Sequence, residues 1–111
     1  MTRDELYLIE MLEATRRIEA WTQGLAEPDF LKDERDQSAV AYQLVIVGEL
    51  AKRLSDELRE RHADIEWSKI ARMRDRLVHQ FHENDPGIIW NTAVRHVPRL
   101  AERIISILTP S

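Results

Sequence analysis

The chain has 111 residues, 43% hydrophobic and 32% charged, enough for one soluble domain with one modest core and too few for two. It contains no cysteine, which excludes disulfides, thiol catalysis and thiolate-rich zinc sites. A net charge of −4 argues against broad coating of nucleic acid but leaves room for a local basic cleft.

No apolar run approaches the length of a membrane span. The start, Met1-Thr2-Arg3-Asp4-Glu5, is too polar for a secretory signal. A cytoplasmic protein without membrane contact is expected. Glycine (3) and proline (4) are scarce and no period-two alternation persists, so the expected class is all-α. There is no internal repeat, and residues 1–111 read as one domain.

Thr2 and Glu5 form a capping-box pair that starts the first helix. Leu8, Met11, Leu12, Thr15 and Ile18 recur at helical spacing, and Gly24 is a natural stop. Residues 25–32, with Pro28, read as a connection holding at most one short turn.

The second helix is expected over residues 33–61. Val40, Leu44, Val47, Ala51, Leu54 and Leu58 make one apolar stripe, and Ala41, Val45 and Gly48 lie on another side. A helix apolar nearly all round needs burial on two faces. Mid-helix, Gly48 costs roughly 1 kcal/mol relative to alanine, which close approach of another helix would justify. A partner subunit is the expected second neighbour. A central helix in a monomeric bundle is the alternative.

A third helix begins near Trp67 and ends around residues 80–82. Asp85 caps the fourth, with Pro86 at its first position. That helix carries Ile89, Trp90, Val94 and Val97, must kink or split at Pro98, and continues through Leu100, Ile104, Ile105 and Leu108.

The third helix holds the densest chemistry, Arg72-Met73-Arg74-Asp75-Arg76-Leu77-Val78-His79-Gln80-Phe81-His82. Arginine holds phosphate and histidine moves protons near neutral pH, a pairing that points to phosphodiester chemistry. At roughly 100° per residue, Ser68, Arg72, Asp75, Arg76 and His79 share one face. Trp67, Ile70, Arg74, Leu77, Val78 and Phe81 fall on the apolar side. Arg74 is misplaced for a simple amphipathic helix. It is either a buried ion pair at the core edge or a ligand-facing group at a helix end or subunit interface. His79 lies about 140° away around a regular helix, so the two cannot face one ligand unless the helix bends or ends, or a second subunit completes the site. The plain alternative for His79 is a C-terminal histidine favoured by the helix dipole. For Arg72 and Arg76 it is a solvated face. His79 and His82 lack a well-placed carboxylate, so no metal and no cofactor is expected.

Arg74-Asp75, followed three residues on by His79, matches the R-x-x-x-x-H signature of HEPN domains. Val47-Gly48-Glu49-Leu50-Ala51-Lys52-Arg53-Leu54, the stretch from Trp67 to His79, and Ile88-Ile89-Trp90 also resemble the HepT-like branch, toxin partners of minimal nucleotidyltransferases. The resemblance covers almost the whole chain. It implies an up-and-down bundle of four to five helices that dimerises, with Ala41, Val45, Gly48 and Glu49 at the interface. It implies a metal-independent RNA endonuclease of a toxin–antitoxin pair with a composite site between protomers. There Arg74 would bind the scissile phosphate, His79 would be general base or acid, and Asp75 would orient one of them. Arg72, Arg76 and His82 would contact RNA.

HepT-like toxins often carry tyrosine two residues after the histidine, where the antitoxin attaches adenylate. Here Phe81 stands, without a hydroxyl to modify. The competing reading is a non-catalytic binding or assembly subunit for a nucleotidyltransferase.

Overall fold

Helix boundaries follow their capping chemistry. In the computed structural model, which describes residues 1–109 apart from the side chain of Phe81, helix α1 spans Arg3–Thr22. The Thr2 hydroxyl accepts from Glu5 N–H at 3.0 Å, and Glu5 reaches back to Thr2 N–H, as the capping box requires. Gly24, at φ +77°, turns the chain after α1 in a conformation that side-chain-bearing residues rarely adopt. The expected connection then contains a helix, α2 (Glu27–Lys32), which drives Phe30 fully into the core against Trp90.

Helix α3 runs Glu34–Arg53, capped by Asp33, which accepts from Arg35 and Asp36 N–H. It is shorter than expected. Leu54 and Ser55 leave helical geometry, and Ser55 caps a separate helix, α4 (Asp56–Arg61). The break is fixed from outside, because the Asp4 carboxylate accepts from both Ser55 N–H (3.0 Å) and Ser55 Oγ (2.6 Å). That tie also sets α1 antiparallel to α3, as does Arg17 donating to the buried Gln43.

Helix α5 covers Trp67–His79. After a 3-10 turn at Phe81–Glu83, Asp85 caps α6 (Pro86–Asn91) and accepts from Gly87 N–H. A π turn at Thr92–His96 then leads into α7 (Val97–Leu108). Pro98 neither splits nor sharply ends this helix. It has no N–H to give the Val94 carbonyl, and its ring would crowd that oxygen. The wider π turn absorbs the misfit, with Val97 N–H donating to Thr92 O. It also keeps Ile89, Ala93, Val97, Ala101 and Ile104 on the buried side.

Joined in this way, α6 and α7 make one rod, so the described residues form six helical rods, four of them long, and no strand. The four-to-five-helix expectation omitted one or both of the short α2 and α4. Buried side chains form two clusters: Leu8, Met11, Val47, Leu54 and Ile104 in one, Ile18, Phe30, Val40, Leu77 and Val97 in the other. Among the described residues no helix is long and apolar enough to cross a membrane.

Candidate functional site

Helix α5 is placed by its two ends. At the start, Trp67 is buried and its indole N–H donates to His62 O at 3.1 Å. At the finish, Gln80 leaves helical geometry, while the Asn84 side chain donates to Leu77 O at 3.3 Å. Leu77 anchors the last turn in the core. Val78, expected on the apolar side, is 42% exposed, because α3 lies on the Leu77–Arg74 flank and leaves Val78 uncovered.

Arg74 owes its position to Gly48. A Cβ at position 48 would collide with Arg74 Cβ and lie only 3.0 Å from Arg74 Cγ and 3.1 Å from Ile70 O. The glycine therefore admits α5 against α3 within one chain. The close neighbour that Gly48 announced is thus α5 of the same chain, and Gly48 is buried against it. The close approach presses the arginine stem onto α3 and leaves its side chain 23% exposed. Arg74 is ion-paired at the core edge and part of its side chain still reaches the surface.

The guanidinium meets two carboxylates. Nε lies 2.8 Å from Glu49 Oε2, yet the N–H is not aligned for a hydrogen bond, so this contact is an ion pair by proximity. Nη1 donates to Asp75 Oδ1 at 3.0 Å. The same Asp75 oxygen accepts from Lys52 Nζ at 2.8 Å. Arg53 approaches Glu49 at 4.0 Å. The result is a charged row: Arg53, Glu49, Arg74, Asp75, Lys52.

Hydrogen bonds from Lys52 and then Arg74 hold the Asp75 carboxyl below its usual range. A depressed carboxylate contributes its interaction above the ordinary aspartate value, near 3.9, and loses it as pH falls through the lower folded value. The row should thus be intact from pH 7 to pH 5. Carbon NMR titration of Asp75 is expected to give a midpoint below that of a free aspartate. A midpoint at or above it would show that the bridge does not form.

His79 ends α5 with its ring exposed. It stands about 7.5 Å along the axis from Arg74 and about 140° around it. No hydrogen bond or ion pair joins it to Arg74 or Asp75 among the described residues. Arg72 and Arg76 are exposed and have no ion pair among them. His82 is exposed on the 3-10 turn. Ala41 and Val45 are half-buried against the core, and Glu49 turns to Arg74. The expectation for the Phe81 ring lies outside the described residues. So the chain gathers Arg74 and Asp75 with Glu49, and leaves His79 apart.

The sequence reading missed Lys52 and did not foresee the pairing of Glu49 with Arg74. Both stand within about one turn of Gly48, and that glycine was the available signal. A depression of about 550 Å³ opens at the other end of α5 between Arg59, Trp67 and Arg72. It contains neither Arg74 nor His79. Among the described residues no three His, Cys, Asp or Glu side chains gather as metal ligands would.

Fold and site define a small helical protein with an arginine and a histidine spaced R-x-x-x-x-H on one surface helix. The chain belongs to the HepT-like ribonuclease family, whose model, described as "Ribonuclease HepT-like", matches residues 11–107. It is 36% identical over 94 residues to "Probable ribonuclease HepT" of Thermococcus cleftensis, covering 85% of this chain and 86% of that one. It is 34% identical over 102 residues to a "Putative RNase" of Caldanaerobacter subterraneus, covering 92% and 91%. A third relative, "Gamma-glutamylcyclotransferase and putative RNase" of Methanocaldococcus jannaschii, is 35% identical over 104 residues, and this chain spans only 47% of its length. No solved structure matches.

Proposed function

We propose that the protein is a metal-independent RNA endonuclease, the toxin of a toxin–antitoxin pair, with its active site completed between two protomers. The observation that carries this is Arg74, held at the surface by Gly48 and two carboxylates on the same helix as an exposed His79. A scissile phosphate would replace a carboxylate on the guanidinium, which then stabilises the charge developing on the phosphoryl oxygens. The ribose 2′-oxygen attacks phosphorus and the 5′-oxygen leaves. One histidine takes the 2′ proton and one supplies the leaving oxygen. A single protomer offers one His79, turned away from Arg74. Two protomers offer a base, an acid and two arginines.

Exposed apolar side chains on both helices that carry the charged row are available for pairing. Tyr42 on α3 is 65% exposed and Val78 on α5 is 42% exposed. The test is cleavage of RNA in chelator, with light scattering on the same sample. The expected result is cleavage by a species of twice 13.1 kDa. A stable active monomer would remove the composite site, and an inactive dimer would remove the nuclease.

Arg72 and Arg76 extend this reading as phosphate contacts. Replacing either by alanine is expected to weaken RNA binding across all sequences and lower the salt slope of binding by about one. An unchanged slope would return them to a solvated face.

A second reading has its own support. Arg74 is already compensated by Glu49 and Asp75, as in a non-catalytic subunit that assembles with a nucleotidyltransferase. On the toxin reading, with Phe81 in place of tyrosine, such a partner would neutralise by binding alone. Co-purification tests the partner, and chelator-resistant cleavage decides between the readings.

A further inference from the structure

We propose that Lys52 is a positioning residue of the nuclease site, drawing the Asp75 carboxylate away from Arg74 and so leaving the guanidinium able to take a phosphate. This rests on the reading of Arg74 as the phosphate-binding group.

Arg74 is flanked by two carboxylates, Glu49 and Asp75. Alone, that trio carries one positive and two negative charges and would repel a phosphodiester. Lys52 and Arg53 add two positive charges, which brings the row to +1. They do not act equally. Arg53 stands 4.0 Å from Glu49, whereas Lys52 donates to Asp75 at 2.8 Å, shorter than the 3.0 Å bond from Arg74 to the same oxygen. Asp75 Oδ1 is thus shared, and the tighter bond is the one from α3. An oxygen already bonded by an ammonium is a weaker acceptor for a second cation, so Arg74 can exchange it for a phosphate oxygen at less cost. Lys52 and Asp75 are both roughly 40% exposed, so neither is needed to fill the core.

The test uses the full chain and four proteins: wild type, Lys52→Met, Asp75→Asn and Lys52→Met/Asp75→Asn, with Lys52→Arg as the conservative control. Exposed ion pairs of this kind couple by about two- to fivefold. Lys52→Met is expected to raise KM for RNA by about that factor with little change in kcat, and Lys52→Arg to restore it. With Asp75→Asn there is no carboxylate to restrain, so removing Lys52 should then have no further effect. Two readouts do not need cleavage. One is binding of a short DNA oligonucleotide, a phosphodiester without the attacking hydroxyl. The other is the set of Arg74 Nη–H resonances, Nη1 being the atom bonded to Asp75, which should move on Lys52→Met only when Asp75 is present. If the wild type cleaves no RNA, the nuclease reading fails while these readouts still judge Lys52. Equal loss of binding on both backgrounds means that Lys52 meets the phosphate directly, and overturns the proposal. So does an Arg74 resonance indifferent to Lys52.

Discussion

Replacing His79 by alanine is expected to lower RNA cleavage by about 10²–10⁴-fold, the usual contribution of a general acid–base group. The melting temperature should stay within a degree or two. His79 is exposed on the last turn of α5, and the core contact of that turn belongs to Leu77. Exposed substitutions away from special features usually change stability by under about 0.5 kcal/mol. Arg74→Ala should be equally inactive, but with a measurable loss of stability. Its stem packs on α3, and its removal takes from Glu49 and Asp75 the cation they share, leaving each with one neighbouring cation. The pair of variants separates chemistry from scaffold in one experiment. Full activity in pure His79→Ala protein would end the catalytic assignment, and a collapsed fold in that variant would show that the histidine is structural.

Gly48→Val is expected to lower the melting temperature strongly, and Gly48→Ala less so. Overpacking of a tight helix contact costs about 1–3 kcal/mol, and in a domain of this size each kcal/mol shifts the midpoint by roughly 4 °C or more. Alanine gains back about 1 kcal/mol in helix propensity. It does not relieve the conflict, because the obstructing atoms are the first two carbons of Arg74 and the Ile70 carbonyl, none of them a flexible tip. The helices must part. Cleavage should fall with stability, since parting α3 from α5 also moves Arg74 away from Glu49 and Lys52. A melting temperature for Gly48→Ala at or above that of the wild type would show that α5 yields freely.

Local rules made several features legible. Thr2 with Glu5, Asp85 with Pro86, and the start at Trp67 each announce a helix through groups within a few residues. Helical arithmetic placed Arg74 on the apolar side of α5, where it lies. The break at Ser55 was not legible, because it depends on Asp4, far away in sequence. Gly48 declared a close neighbour without saying which helix, and the neighbour is α5 of the same chain. Glu49 and Lys52 join the site only once the register of α3 on α5 is known. Periodicity within one helix does not contain that register.

The closest approach of α3 to α5 has a consequence for how such a chain decays. The obstruction at position 48 begins at a Cβ, which every residue but glycine carries at position 74. A descendant released from selection for cleavage can lose His79 at little cost and Arg74 at a modest one, yet it remains bound to glycine at 48 by the fold alone. Lineages should therefore exist that keep this glycine after losing the arginine, and the opposite order should be rare. On the proposed function, glycine at 48 would mark the fold, and arginine at 74 its use in cleavage.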